Sequence, residues 1–316
     1  MPRMRPLLFF ICLLALPAFA DLGDALTFGP HRVGFEEREG VSVWYPAASS
    51  GAPLTFGDYL GPARQEFEAF LSGAGLSREG IRAYVGARMT AVRDARPSKG
   101  TFPLILVAQG NQHAAADQAV LCEYLASHGF VVATTPSPML VRPMTDAEQI
   151  GEFAELQAAE LRRAVRVVSA HHRVDATKIA VVGHSFGSRA ALLLAMSHES
   201  VRAIVSLDGG IGSSIGVAQM RAARSFRPGR VPPLLHLYET EDAFVQSDPT
   251  FLQSAGSASL HTESIRGMHH VHFSSLGFAA ASIPELQKLT RAPADVGEST
   301  EYIARRTLAF VSRYLR

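Results

Sequence analysis

The chain has 316 residues, of which 47% are hydrophobic and 19% charged. That composition supports a sizeable core and excludes global disorder. The formal net charge is +1, which gives no electrostatic case for nucleic acid or an acidic membrane surface as partner.

Arg3 and Arg5 open the chain with positive charge, and an apolar run extends over 7–16. Pro17 breaks the run, and Ala18-Phe19-Ala20 supplies the small residues a signal peptidase reads. The pattern predicts a secretory signal over 1–20, cut before Asp21, and a periplasmic or secreted mature chain. The run is well short of the roughly 20 residues a membrane span needs, so no stable span is expected. Of the two cysteines, Cys12 lies in the signal and Cys122 remains. A lone thiol rules out an intramolecular disulfide and a cysteine-rich metal site.

In chain order, short strands are expected at 32–35 and 41–45. The stretch 54–96 is Gly-punctuated and amphipathic, with helices near 63–71 and 78–92. It reads as an insertion within one domain spanning 21–316. Residues 104–108 form a continuous apolar strand, as when both faces are buried. A helix over 115–128 follows, stopped by Gly129, then a strand at 130–134 and a long helix at 148–172. The strand 178–182, helix 186–196 and strand 203–207 come next. Strands at 234–238 and 260–265 and a helix at 301–314 close the chain. Strands alternating with long helices predict an α/β fold, with a mostly parallel central sheet and helices on both faces. Ligands then bind beyond the carboxyl ends of the strands, so functional residues should follow strands.

Gly183-His184-Ser185-Phe186-Gly187 fits G-x-S-x-G and sits between an expected strand and an expected helix. A sharp strand-to-helix turn needs small residues around the serine and lifts its hydroxyl clear of the sheet. Ser185 is therefore the candidate nucleophile. Its base must come from elsewhere, and the tract Met268-His269-His270-Val271-His272 after the last strand offers three histidines. A metal site on that tract is the competing reading, but no second cluster has matching spacing. Two carboxylates follow strands, Asp208 and Asp242, and either could orient an imidazole. A developing oxyanion needs preorganised donors. Phe186 N–H, next to the nucleophile, is one. Asn111, in the loop Gln109-Gly110-Asn111-Gln112-His113, is the other, with Gly110 expected to let the loop bend back.

These residues resemble the α/β-hydrolases around plasma-type platelet-activating-factor acetylhydrolase, and more loosely the dienelactone-hydrolase-like and polyester-cleaving bacterial esterases. The resemblance covers roughly 40–315. Val43-Trp44-Tyr45-Pro46-Ala47 is similar to an early strand of the family. Phe102-Pro103-Leu104-Ile105-Leu106 with Gln109-Gly110-Asn111 is similar to its oxyanion strand and loop, although a histidine is common where Gln109 stands. The run from Cys122 to Ala133 matches the next helix and strand. The resemblance implies His270 as base. In the acetylhydrolase branch the acid is in a Leu-Asp pair, which selects Leu207-Asp208; the commoner arrangement of the superfamily selects Asp242. Ser185, where dienelactone hydrolases carry cysteine, speaks against that activity. The implied activity is hydrolysis of a small-molecule or lipid carboxylic ester through an acyl-enzyme, with no metal or organic cofactor. Acyl transfer, amide cleavage and polyester cleavage use the same triad. A non-catalytic binding protein on this scaffold would have a broken triad, whereas every member here has a candidate.

Overall fold

In the computed structural model, strand β4 (Phe102–Ala108) has Leu104, Ile105, Leu106 and Val107 all fully buried. They belong alternately to two cores, Ile105 and Val107 to one and Leu104 and Leu106 to the other. This is the period-2 consequence of a strand covered on both faces. The structure describes residues 21–137, 147–241, 252–253, 255–257 and 259–316. The expected signal segment and Asp242 lie outside the described residues.

Nine described strands form one sheet: β1 (Arg32–Arg38), β2 (Val41–Ala47), β3 (Val92–Arg93), β4, β5 (Val131–Thr135), β6 (Val174–His184), β7 (Val201–Leu207), β8 (Leu234–Tyr238) and β9 (Leu260–Ser264). Their order is β3-β1-β2-β5-β4-β6-β7-β8-β9. β2 pairs antiparallel with β1 and β5, and every pairing from β5 to β9 is parallel.

One face of the sheet packs on α4 (Ala119–Ser127), α8 (Ser275–Ser282), α9 (Pro284–Leu289) and α10 (Val296–Leu315). The other packs on α5 (Ala147–His171), α6 (Gly187–Ser197) and α7 (Ser214–Ala222). Sequence reading missed α7, α8 and α9, which lie in stretches without a long amphipathic period. The closing helix also begins earlier than expected, at Val296. Among the described residues no helix is long and apolar enough to cross a membrane.

The segment 54–96 contains α1 (Phe56–Leu60), α2 (Arg64–Gly73) and α3 (Arg78–Val85). The helix expected to run to residue 92 stops at Val85. Beyond it Ala87, Met89 and Ala91 are buried and Arg88 and Thr90 exposed, a strand period rather than a helical one. The backbone there pairs with the start of the segment: Phe56 N–H donates to Ala87 O at 2.9 Å and Leu54 N–H to Ala91 O at 2.9 Å.

A buried carboxyl ties this segment to the main body. Glu123 of α4 accepts hydrogen bonds from Thr90 N–H and Ala91 N–H, each at 2.8 Å, and from the Tyr59 hydroxyl. Tyr59 Oη in turn accepts from Trp44 Nε1 on β2 at 3.1 Å. At the far end Glu285 of α9 accepts from Ser77 N–H and Oγ–H, both at 2.7 Å.

Burial pushes the Glu123 carboxyl up to about 7, against the donors that favour its ionised form. A carboxyl raised from its ordinary 4.5 binds more protons folded than unfolded. Its contribution to stability is therefore largest below the unfolded value and is lost as pH rises through the folded one. Glu123→Gln removes that titration. The variant should gain stability relative to the native chain between about pH 5 and pH 8, by roughly 1–3 kcal/mol. Urea melts across that interval measure the gain, and a flat difference contradicts a raised carboxyl.

Candidate active site

The chain leaves β4 toward β5 on one side, while β6 lies on the other, with Ala108 opposite Gly183. The strand order thus reverses beside β4, and in open α/β sheets ligands bind beyond the carboxyl ends of the strands at such a point. The loop after β4 and the turn after β6 flank that position.

That turn carries Ser185 at φ 52°. A non-glycine residue in the left-handed region costs of the order of 1–2 kcal/mol, so the surroundings must hold it. Ser185 N–H donates to Leu207 O at 3.0 Å, and Ser185 O accepts from Ser188 N–H and Gly210 N–H, both at 3.2 Å. The flanking glycines are required by contact with backbone. A Cβ on Gly183 would lie 2.6 Å from Ser188 Cα, and one on Gly187 would lie 2.1 Å from Ala108 O.

A buried polar strut runs beneath the turn. Ser188 Oγ–H donates to Gly183 O at 2.8 Å, and Ser206 Oγ–H donates to Ser188 Oγ at 3.0 Å. His236 Nδ1 lies 2.9 Å from Ser206 Oγ. Burial pushes the His236 imidazole down to about 4, so it is neutral at ordinary pH.

His270 Nε2 lies 2.8 Å from Ser185 Oγ, and His270 Nδ1 faces Asp208 Oδ2 within hydrogen-bond reach. Asp208 follows β7, is buried, and also takes a left-handed backbone at φ 43°. Its N–H donates to Leu237 O at 2.7 Å and its Oδ1 accepts from Glu239 N–H at 3.1 Å. The carboxylate therefore enters the site in one orientation. The other two histidines of the tract face each other, with His269 N–H donating to His272 Nδ1 at 2.9 Å. Among the described residues no three metal-ligating side chains converge.

His184 is also part of the arrangement, although in the sequence it occupies a variable position of the motif. It is buried, and its ring stacks on His270 at 5.1 Å between centroids with 26° between planes. His113 lies 5.4 Å beyond it. Burial, helped by the neighbouring His270 and His113, holds His184 well below the usual imidazole range. It backs His270 as a neutral ring.

The loop after β4 is pinned by residues that sequence reading did not select. The buried Gln109 donates through Nε2 to Ala115 O at 3.2 Å and to Thr134 Oγ at 3.0 Å. Its own carbonyl accepts from Gln157 Nε2 of α5 at 2.9 Å. The bend arises at Gln112, at φ 60°, and not at Gly110 as expected. Gly110 instead serves close packing, since a Cβ there would lie 3.1 Å from His113 Nδ1 and 3.2 Å from His184 Nδ1. Among the described residues neither Asn111 N–H nor Phe186 N–H donates to another protein group.

A cavity of about 390 Å³ lined by Tyr45, Lys99, Phe102, His172 and Arg173 opens at the other end of the sheet, by the first residue of β4. Cys122, in α4, is a free, buried thiol, raised well above its ordinary pKa by burial.

The family model described as Chlorophyllase matches residues 90–228, an interval that contains Ser185 and Asp208 and ends before His270. The chain is 32% identical over 108 residues to cutinase est2 of Thermobifida alba, covering 34% of each chain. It is 22% identical over 140 residues to chlorophyllase type 0 of Chenopodium album, covering 41% of this chain and 40% of that one. The matches thus span about a third of the length of the cutinase and two fifths of the chlorophyllase. Ferulic acid esterase from Streptomyces cinnamoneus superposes over 95% of this chain and 94% of its own, with TM-score 0.67 and 20% identity. The reversal of strand order beside β4, a serine on the turn after β6 and this superposition along the whole length show that the chain has the α/β-hydrolase fold.

Proposed function

We propose that the protein is a serine esterase that cleaves carboxylic esters through an acyl-enzyme. The observation that carries this reading is the hydrogen-bonded line Ser185 Oγ, His270 Nε2, His270 Nδ1, Asp208 Oδ2. His270 takes the proton as Ser185 Oγ attacks the ester carbonyl, and Asp208 holds the imidazole in its productive tautomer and stabilises the imidazolium. The N–H groups of Phe186 and Asn111 meet the oxyanion of the tetrahedral intermediate. Collapse expels the alcohol, which takes the proton from His270. Water, activated by the same imidazole, then releases the acid and restores Ser185. The relatives named for cutin, chlorophyll and ferulic acid esters support an ester as the scissile bond.

The segment 54–96 is proposed as an insertion of the single domain that borders the site. Helix α1 touches the short helical turn Ala115–Gln118, which follows the pinned loop. Residues 1–20 are proposed as a cleaved export signal.

Three outcomes follow. Ser185→Ala should lose p-nitrophenyl ester hydrolysis by about 10⁴-fold or more, and with it labelling by a fluorophosphonate. Retained labelling removes Ser185 from the role. Asp208→Asn should lower kcat by about 10³-fold or more, while Asp242→Asn costs far less; the reverse order moves the acid to Asp242. Amino-terminal sequencing of protein recovered outside the cytoplasm should begin at or near Asp21, and intact residues 1–20 on exported protein would refute cleavage.

A further inference from the structure

Arg189 lies one helical turn beyond the nucleophile, on α6. It is only 9% exposed, yet no carboxylate pairs with it among the described residues, and its Nε is buried without a hydrogen-bond partner. Its guanidinium lies flat on Gly210: a Cβ there would be 2.5 Å from Nη1 and 2.6 Å from Nη2. The group also lies over the Phe186 ring, with Cζ 5.3 Å from the centroid. Both neighbours belong to the site. Phe186 carries a candidate oxyanion donor, and Gly210 N–H donates to the carbonyl of Ser185.

A buried cation without a counter-charge is costly, because desolvation is not repaid by pairing. Burial lowers Arg189 to about 10, which leaves it charged at neutral pH. The planar, weakly hydrated fork suits a carboxylate. Gly210, the residue whose missing side chain makes room for the guanidinium, follows Asp208 by two positions. The cation thus lies against the backbone that holds Ser185, while the imidazole has its own partner in Asp208.

We infer that Arg189 forms an anion subsite beside Ser185 that binds a carboxylate on the substrate separate from the scissile ester, so that half-esters of dicarboxylic acids are preferred over the corresponding neutral diesters. This rests on the esterase reading. The chemistry at Ser185 is unchanged: one ester bond is broken by water, and the distal carboxylate is neither formed nor consumed.

The test compares monomethyl and dimethyl adipate. The measured quantity is the ratio of their kcat/KM values within each protein, so a general loss of activity cancels. The native chain should favour the half-ester, and Arg189→Met should lower the ratio by about tenfold or more, with Arg189→Lys between them. A native ratio at or below one, or a ratio unmoved in Arg189→Met, overturns the subsite. Calorimetric titration of Ser185→Ala with each compound is a second measurement that needs neither turnover nor a folded Arg189 variant. Tighter binding of the half-ester, weakened by added salt, supports the inference, and equal binding of the two overturns it. Hydrolysis of neither compound, nor of any p-nitrophenyl ester, would instead bring down the esterase reading and leave the calorimetric result to decide the subsite.

Discussion

The left-handed backbone at Ser185 is the constraint on which the rest of the site depends. A serine at φ 52° is stable only if its neighbours surrender their side chains and its own polar groups are held. Gly183 and Gly187 meet the first condition by allowing backbone contact with Ser188 and Ala108. Leu207 O, Gly210 N–H and Ser188 N–H meet the second. These partners come from β7, from the turn after it and from α6, so the strain is distributed over elements the sheet already fixes in register. The buried strut from His236 through Ser206 and Ser188 to Gly183 supports the turn from below.

The same economy governs Asp208. It stands at the end of β7, directly beyond Leu207, which pairs with His184 of β6. Its own left-handed φ turns the carboxylate away from the strand direction, and Glu239 N–H at the end of β8 fixes one oxygen. Register therefore sets the distance between Ser185 and Asp208, while two unusual backbone conformations set direction. Only His270 comes from a region without strand pairing, and its ring is steadied by stacking on His184.

The elements that periodicity reveals were legible in the sequence. β4 announced itself as an apolar run, α5 as a long amphipathic helix, and the turn at Ser185 as a motif in the right context. Residues 87–91 misled because Ala87, Met89 and Ala91 continue the apolar count of α3 while changing its period. The pinning of the loop after β4 by Gln109, Thr134 and Gln157 leaves no local signal, since it joins three elements far apart in the chain. His184 and Arg189 were hidden for the related reason that a motif names its fixed positions and is silent on what lies between and beyond them. The choice between Asp208 and Asp242 could not be made from placement after strands alone, because both satisfy it; the geometry at Asp208 depends on a backbone dihedral that no residue type announces.

The hydrogen bond from Trp44 to Tyr59 has a use beyond stability. Trp44 is the only tryptophan in the chain, and its fully buried indole donates to the hydroxyl that in turn contacts Glu123. Its emission should therefore respond to whether the segment 54–96 is docked and whether Glu123 is ionised. The molecule carries a native fluorophore where the segment 54–96 meets the sheet, so changes at that contact can be followed in real time by intrinsic fluorescence with no label attached.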